Sequence, residues 1–471
     1  MTVISKEKKG DSSAVSTPTV GEQPVALKIA YIGGGGRGWA PGLMKDLLLC
    51  PAMQGEIRLY DLDLSMAKFN AEYGNWLQGH PDNLSKWRYR AVDSLKSCLK
   101  NADFVFCSIE PGPIQYRKSD LEDPMKYGIY QPVGDSVGPG GCLRALRAIQ
   151  DYRVIGEAIG AYAPNAWVLN FSNPMSVCTR TLYEVFPGIK AYGCCHEVFG
   201  TQGFLGRMYK RVMGCEKAPS REEMQVNVLG INHFTWIDKA QCRGVDMLAL
   251  LREHLHDKGM IKVYTEKDAP RSLFGDSNQV KLDLFRRFGI LAAAGDRHLA
   301  EFVPWYLTSE DSYVRWGFRM TPYSYRLERQ REAPKQLKKE FKSRVFPKVH
   351  GSGEEYINQM LALLGKYPFR TNVNLPNRGQ QQGLPAGAVV ETNALFSENS
   401  LEPIASGALP DNVNILVQRH VANQETLVRA GLDKNRELGF QAFLNDPLVN
   451  ISTDAAWKLY TTMLRKTGNP V

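Results

Sequence analysis

Long hydrophobic runs are absent from this 471-residue sequence, and no stretch approaches the roughly 18 consecutive apolar residues that a membrane-spanning helix requires. The N-terminal segment also lacks the apolar core of a secretory signal. It is rich in Ser, Thr, Pro and Lys, and we expect residues 1–26 to form a disordered tail. These absences favour a cytoplasmic protein that has no membrane partner.

Paired cysteines are also lacking. The nine cysteines are scattered between Cys50 and Cys242, and no CxxC motif occurs among them. An odd number without paired spacing argues against a disulfide framework, and the absence of CxxC argues against a structural zinc ribbon. The pattern is typical of a reduced, cytosolic protein.

The excess of positive charge is modest and local. Lys and Arg number 58 against 49 acids, for a net charge of +9. Residues 315–348 alone hold eleven Lys or Arg and three Glu. A solvated helix face explains such a run most simply. Because no nucleic-acid recognition motif accompanies it, we expect no nucleic-acid partner. The charge is compatible with a small anionic substrate.

Residues 27–200 alternate short apolar segments, rich in β-branched and aromatic residues, with segments of helical periodicity. This alternation predicts a Rossmann-type α/β domain, a doubly wound parallel sheet with helices on both faces. After residue 200, charged helical segments dominate and strands look antiparallel or isolated. We therefore expect residues 201–471 to form a C-terminal α+β domain that serves catalysis, substrate binding and oligomerisation. The predicted strands of the first domain are VALKIAYI, GEIRLYDLD, ADFVFCSI, NAWVLNF and GIKAYG.

A glycine-rich turn follows the first predicted strand and matches G-x-G-x-x-G. Gly33 is expected to permit the tight turn, Gly35 the close approach of a pyrophosphate, and Gly38 the close packing of helix on strand. The second strand ends at Asp61, which is placed to accept hydrogen bonds from a ribose and to favour NAD over NADP. Asp63 is the nearest competitor for that role. The context predicts a dinucleotide site.

Two polar motifs follow predicted strands. Cys195 and His196 come after GIKAYG, and His233 lies in GINHFTWID. Ligands of such sheets bind at the carboxyl ends of the strands. A Cys/His pair with open positions suits a borderline divalent metal that also holds substrate oxygens. Each of these residues alone is equally compatible with a place in the core.

Two further motifs contain residues that could bind a ligand or take part in catalysis. The loop GDSVGPGG precedes a helix whose N-terminus could hold a substrate oxygen or the nicotinamide end of the cofactor, although it could equally be only a tight turn. AGDRHLAEF places an acid, a cation and a base together, at Asp296, Arg297 and His298. Its simpler interpretation is a helix whose first turn is capped by Asp296.

Together these motifs resemble the NAD- and manganese-dependent glycoside hydrolases of family 4. The resemblance runs from about residue 27 to about residue 450 and is strongest to the bacterial α-galacturonidase branch. It implies a small-molecule uronide substrate from pectin, NAD and Mn²⁺ as cofactors, and a homodimer or homotetramer. The motifs that carry it are IAYIGGGGRGW, GDSVGPGG, NFSNP, GCCHEVFG, LGINHFTW, AGDRHLAEF, VNLPNRGQ, VVETNALF and LNDPLV.

The resemblance also implies a mechanism without the usual carboxylate pair. Hydride passes from the sugar C3 to NAD, a base removes the proton at C2, the aglycone is eliminated, water adds at C1, and the hydride returns. The resemblance implies metal binding by Cys195 and His233, general acid by His196 and substrate contact by Asn173. For the C2 base, a Tyr in some branches of the family, we favour Asp296, with Tyr306 in reserve. Because a cation must meet the C6 carboxylate of galacturonate, we expect Arg297 to bind it.

Three alternatives remain open from the sequence. An α-glucuronidase or α-glucosidase of the same family differs only in the sugar. An NAD-dependent 2-hydroxy-acid dehydrogenase of the lactate/malate type shares the fold but needs no metal site. A non-catalytic NAD-binding sensor would not need so many polar motif positions.

Overall fold

The computed structural model describes residues 23–257 and 260–469. Most of the predicted tail therefore lies outside the described residues. The first strand begins at Val25, two residues before the expected domain boundary. None of the helices in the described part of the chain has the length and apolarity that crossing a bilayer requires.

The first part of the chain alternates strands and helices, as expected for a parallel α/β domain. The strand VALKIAYI is buried from its middle onward, so both faces are covered by helices. Its elements in chain order are β1 (Val25–Ile32), α1 (Trp39–Leu48), β2 (Met53–Tyr60), α2 (Leu64–Leu77), β3 (Trp87–Val92), α3 (Leu95–Leu99), β4 (Phe104–Cys107), α4 (Tyr116–Met125), α5 (Gly138–Tyr162), β5 (Trp167–Asn170), α6 (Met175–Val185), β6 (Lys190–Gly193) and α7 (Glu197–Met213).

The remaining chain is mixed α and β. Strands β7 and β8 form an antiparallel hairpin with a bulge, and β10 adds to it. The elements in chain order are β7 (Met224–Ile231), β8 (Phe234–Cys242), β9 (Val245–Asp246), α8 (Met247–His254), α9 (Gln279–Phe288), β10 (Leu291–Ala292), α10 (Asp296–Phe302), α11 (Ser312–Arg315), α12 (Tyr323–Ser343), α13 (Tyr356–Leu363), β11 (Phe369–Pro376), β12 (Gln381–Gln382), β13 (Val389–Ser397), β14 (Ser400–Pro403), β15 (Gly407–Ala408), α14 (Asp411–Leu432), α15 (Arg436–Leu444) and α16 (Thr453–Lys466).

The large sheet has the strand order β14-β13-β11-β6-β5-β4-β1-β2-β3. Its six N-terminal strands are parallel and follow the Rossmann order, which confirms the predicted fold class. Strand β11 joins β6 antiparallel, and β13 and β14 follow. The sheet therefore includes chain from both sides of the boundary expected at residue 200.

The direction of the strand order reverses between β1 and β4, and this reversal fixes where a ligand can bind. In open parallel sheets the crevice outside the carboxyl ends of the strands at such a point is the binding site. The carboxyl ends of these two strands are Ile32 and Cys107, which pair with each other. The glycine-rich turn follows the first of them directly.

Candidate functional site

The glycine turn leaves no room for side chains at three positions. Gly33 has a φ of +93°, and a Cβ there would lie 2.0 Å from the Ser108 carbonyl oxygen. A Cβ on Gly34 would lie 2.6 Å from Leu59 Cβ. At Gly35 the carboxyl carbon of Asp61 would be 2.9 Å away. The turn is therefore built for close backbone approach.

Gly38 does not have the role that the motif predicts. A Cβ on Gly38 would meet nothing within 4 Å, and Gly34 instead makes the close contact with the sheet. The reason is geometric: Gly38 caps α1 at its outer end, whereas Gly34 lies beside strand β2. A substitution at Gly38 is thus sterically tolerable.

Asp61 lies against the glycine turn, where the sequence places it. Its Oδ2 accepts the Gly35 N–H at 2.8 Å, and its Oδ1 accepts the Asp63 N–H at 2.8 Å. Asp63 caps α2 through Met66 N at 3.2 Å and lies 3.6 Å from Arg37 Nη2. Both acids line the crevice, but only Asp61 hydrogen-bonds to the main chain of the turn, whereas Asp63 contacts the Arg37 side chain.

The crevice continues from the turn to a cluster of polar residues on the GDSVGPGG loop and beyond. Asp135, Arg144 and Asn173 line its far end. Asn173 donates from Nδ2 to Asp135 Oδ2 at 3.4 Å, its main-chain oxygen accepts from Arg144 Nε at 2.8 Å, and its buried Oδ1 has no partner within the described chain. Asn173 is thus free to accept one hydrogen bond from a ligand.

The side chains of Asp135, His233 and His298 converge at this end of the crevice, and we call them the ligand cluster. One ligand atom from each lies within 4.8 Å of the others. The two imidazole rings are 3.8 Å apart between centroids. Ser136 Oγ lies 2.9 Å from His233 Nδ1 and 2.8 Å from Asp135 Oδ1. A carboxylate and two imidazoles suit a borderline divalent cation.

The pKa shifts of His233 and Asp135 agree with the binding of a cation by the ligand cluster. Burial lowers the pKa of His233 to about 3, and the His298 imidazole adds to this effect. The pKa of Asp135 is held below its usual range by the two imidazoles and by Arg117 and Arg144, against burial, which raises it. His233 has a φ of 63°, which is uncommon outside glycine and clusters at functional sites. A neutral His233 and an ionised Asp135 are the forms that bind a cation.

Cys195 is buried beside Asn232, the residue that precedes His233, but is not one of the three converging groups. Burial raises the pKa of its thiol well above the usual value, and the carboxylates of Glu391 and Glu197 raise it further. The Asn232 amide, which is hydrogen-bonded to the thiol, acts in the opposite direction. Asn232 also donates to Glu391 at 3.2 Å. The thiolate form would need a bound cation to stabilise it.

A second cavity, which we call the chamber, lies on the other side of the ligand cluster. It is lined by His196, Glu197, Arg207, Phe274, Asp276, Lys281, Arg297, His298 and Glu354, among others. His298 therefore belongs both to the cluster and to the chamber wall, while Asp135 belongs to the crevice. The ligand cluster joins the two spaces.

His196 is the predicted general acid, and it faces the chamber. Its Nδ1 lies 3.2 Å from Glu354 Oε1, and its side chain is about half exposed. The hydrogen bond to Glu354 raises the pKa of His196 above its ordinary value, opposed by partial burial. An imidazole held at one nitrogen and open at the other can deliver a proton to a leaving group.

The two predicted bases do not face the chamber. Asp296 is fully buried; its Oδ2 accepts the Gln279 N–H at 2.6 Å and its Oδ1 the Lys281 N–H at 3.0 Å. Tyr306 is buried and donates to Asp283 Oδ2 at 3.0 Å. Neither side chain lines either cavity.

Asp296 therefore has a structural task, and it differs from the one that its sequence context suggested. It is the first residue of α10, yet its carboxylate caps α9. The start of α10 is satisfied instead by Asp276, which accepts the Asp296 N–H at 2.8 Å, and by Glu197, which accepts the Gly295 N–H at 2.6 Å. Burial, and then the Asp276 carboxylate, raise the pKa of Asp296 well above its usual value.

Arg297 lies where the sequence analysis expected a cation. Its guanidinium is buried, donates to Thr321 Oγ1, and lies 5.1 Å from the centre of the Phe274 ring. Its Nε has no partner, and no carboxylate oxygen lies within ion-pair distance in the part of the chain that is described. Burial lowers its pKa. The chamber thus holds an unpaired cation.

Several site residues were not assigned from sequence. Asp135 and His298 stood inside motifs that were noticed, but nothing in their spacing brings residues 135 and 298 together. Glu301 was missed because its task is to hold the loop: it accepts the N–H groups of Val133 at 2.6 Å and Gly134 at 2.9 Å. Only the fold reveals such partners.

Comparison with known proteins places these features in a family. A sequence model of family 4 glycosyl hydrolases matches residues 28–211, and a model of the family's C-terminal domain matches residues 228–449. An α-galacturonidase of Thermoanaerobacterium saccharolyticum is 49% identical over 94% of this chain and 96% of its own length. One from Bacillus subtilis is 48% identical over 93% and 97%.

Two solved structures are similar to this one. The Bacillus subtilis glucosidase candidate lplD has a TM-score of 0.88 and 48% identity, over 93% of this chain and all of its own. A 6-phospho-α-glucosidase from gut microorganisms, crystallised with NAD and Mn²⁺, has a TM-score of 0.76 over 94% of this chain and 98% of its own. Its identity is 21%, so that likeness shows the fold alone.

Proposed function

The chain belongs to family 4 of the glycosyl hydrolases, and from this premise we propose that it hydrolyses α-galacturonides, such as small oligosaccharides from pectin. One observation carries the proposal beyond the family: the ligand cluster joins a dinucleotide crevice to a chamber with unpaired buried cations. A cation-lined chamber suits a sugar that carries a carboxylate. The relatives that are 47–49% identical over most of the chain are named α-galacturonidases.

The crevice fits NAD. The turn at Gly33–Gly35 has no space for Cβ atoms, as a pyrophosphate lying against the backbone requires, and Asp61 is at hand for the adenosine ribose. We propose that these residues hold the dinucleotide. NAD, when bound, supplies a reversible acceptor for the hydride at the sugar C3. A dinucleotide held at the turn would extend its nicotinamide along the crevice toward Asn173 and Asp135, which line the same cavity.

The ligand cluster fits a divalent cation such as Mn²⁺. His298 Nδ1 is buried without a partner in the described chain, and three potential ligand atoms lie within 4.8 Å of one another. We propose that Asp135, His233 and His298 hold the cation, with Cys195 as the additional ligand that the family resemblance implies. The cation, when bound, supplies a Lewis acid beside the sugar oxygens.

We propose His196 as the acid that protonates the departing oxygen. The Glu354 carboxylate fixes one ring nitrogen at 3.2 Å and leaves the other directed to the chamber. Proton delivery requires only that the free nitrogen reach the glycosidic oxygen within hydrogen-bond distance.

For the C2 base we propose Asp276 in place of Asp296 and Tyr306. Asp276 lines the chamber, and no Lys, Arg or His nitrogen in the described chain lies within 4 Å of its oxygens. The other chamber acids are engaged with imidazoles: Glu354 with His196, and Glu197 with His298 at 3.7 Å. Asp276 is therefore the chamber acid that has no ion pair among the described residues, and its two oxygens accept the main-chain N–H groups of Asn278 and Asp296.

We also propose that Asn173 and Arg297 contact the substrate. Asn173 presents its unpartnered Oδ1 at the crevice, and Arg297 presents an unpaired guanidinium in the chamber. We also propose a cytoplasmic homodimer or homotetramer, as the family resemblance implies. Light scattering on the purified full chain measures the assembly.

The function is tested with nitrophenyl glycosides in the presence of NAD, Mn²⁺ and a thiol. We expect hydrolysis of the α-galacturonide, with slower or no hydrolysis of the α-glucuronide and the α-glucoside, and no net accumulation of NADH. Activity confined to the neutral glucoside would remove the uronide assignment. NADH formed in proportion to product would indicate a dehydrogenase instead.

A further inference from the structure

None of the described acids that line the chamber makes an ion pair with Lys281 or Arg297. Glu197 accepts the Gly295 N–H at 2.6 Å, and Glu354 pairs with His196 at 3.2 Å. Asp276 accepts the N–H groups of Asn278 at 2.7 Å and Asp296 at 2.8 Å. Carboxylates act on the two cations only from beyond ion-pair distance, Glu197 and Asp276 on Arg297 and the buried Asp296 on Lys281.

Lys281 is the most buried of the cations in this wall. It lies in the first turn of α9, only 2% of its surface is exposed, and it lines the chamber. Nζ donates to Asn278 Oδ1 at 2.9 Å and lies 5.8 Å from the centre of the Phe204 ring. Within residues 23–257 and 260–469, no carboxylate oxygen comes within 4 Å of Nζ. The ammonium has one neutral acceptor and two free N–H groups.

Such an arrangement is costly to the folded protein. Lysine is almost never fully buried unless it is paired, because an ammonium without a counter-charge loses its hydration. The geometry nevertheless holds Nζ in place, since Asn278 adopts a left-handed conformation (φ 57°) that turns its side chain toward the lysine. Asp296 attracts the ammonium from a distance, and a ligand carboxylate in the chamber can bring a counter-charge into direct contact with Nζ.

We propose that Lys281 binds the C6 carboxylate of the substrate and thereby selects uronides over neutral sugars. This rests on the proposed function, and it adds to Arg297 a second cation on the neighbouring helix of the same wall. A point charge with two free N–H groups and a guanidinium can together satisfy both oxygens of one carboxylate.

The test is a binding experiment on the full chain with NAD and Mn²⁺ present. Three ligands of nearly equal shape are compared by calorimetry: D-galacturonate, its methyl ester and D-galactose. The variant is Lys281→Met, which keeps the length of the side chain and removes its charge. Lys239→Met, on the exposed face of β8, is the matched control.

We expect Lys281→Met to lower the affinity for galacturonate about 10- to 100-fold, the usual effect of a lost charge-assisted hydrogen bond. Binding of the ester and of galactose should change less than threefold, and Lys239→Met should change nothing. An equal loss for all three ligands, or no loss for galacturonate, overturns the proposal. So does a fall in kcat with unchanged galacturonate affinity, because that result would place Lys281 in the chemistry.

Two further measurements keep the outcome clear. Without ligand, Lys281→Met should melt at the same temperature as the wild type or higher, because a buried unpaired charge has been removed. Lys281→Arg should retain a preference for galacturonate over its ester. If the wild type binds galactose and galacturonate with equal affinity, the proposed function fails. The ratio of the galacturonate affinities of Lys281→Met and the wild type still tests the role of Lys281 in that case.

Discussion

Replacing Asp296 by Asn distinguishes a structural carboxylate from a catalytic one. The carboxylate accepts two N–H groups in the first turn of α9, Gln279 at 2.6 Å and Lys281 at 3.0 Å, and it is fully buried. Asn keeps one acceptor oxygen but turns an N–H₂ group toward the second donor. One unsatisfied buried donor costs about 1–3 kcal/mol, and the lost negative charge at the helix N-terminus about 0.3–1 kcal/mol more. We expect a destabilisation of roughly 1–4 kcal/mol.

The assay is denaturant unfolding of the variant beside Asp276→Asn, with turnover measured under conditions where both are folded. Asp296→Asn should lower the unfolding midpoint while folded enzyme keeps most of its activity. Asp276→Asn should lose about 10²- to 10⁴-fold in turnover, the usual effect of removing a positioned base. If Asp296→Asn unfolds at the same midpoint as the wild type but loses turnover, this reasoning is refuted and Asp296 is again the candidate for the base.

Three other predictions concern the cofactor, the cation and pH. Asp61→Ala should weaken NAD by roughly 1–3 kcal/mol and reduce discrimination against NADP, measured by fluorescence titration; unchanged affinity would point to Asp63. Cys195→Ser and His298→Gln should each weaken Mn²⁺ binding at least tenfold while NAD still binds, as measured by calorimetry. If either variant binds Mn²⁺ as tightly as the wild type, the replaced residue is not a metal ligand. Burial raises the pKa of Glu301 to about 8. The stability that Glu301 contributes is therefore fully present below pH 4.5 and is lost as the pH rises through 8. In Glu301→Gln, the free energy of unfolding measured between these pH values should fall less steeply, by at most about 1.4 kcal/mol per pH unit. A slope equal to that of the wild type would contradict this prediction.

The parallel half of the fold could be predicted because its signals are local. Apolar strands such as VALKIAYI end in glycine or acid, and the helices between them carry a regular period. The glycine turn and Asp61 were found for the same reason, since both lie within 40 residues of one another in a motif whose geometry is fixed by the backbone.

The rest depends on contacts between distant parts of the chain. Strand β11 has the sequence FRTNVNLP, in which Thr and Asn alternate with apolar residues, yet almost all of it is buried because it pairs with β6 and β13. The ligand cluster unites residues 135, 233 and 298 only through the packing of three elements. Asp296 looked like a cap for its own helix, and only the fold shows that it caps the preceding one.

The proposed mechanism requires that the C2–H bond of the sugar break in every turnover, and this is the most direct point to measure. Wild-type enzyme with NAD and Mn²⁺ should hydrolyse nitrophenyl α-galacturonide in D₂O, and the galacturonate released should carry deuterium at C2 with no net formation of NADH. A hydrolase with two carboxylates never touches that bond. Hydrolysis that proceeds without NAD and leaves C2 free of deuterium would contradict the account.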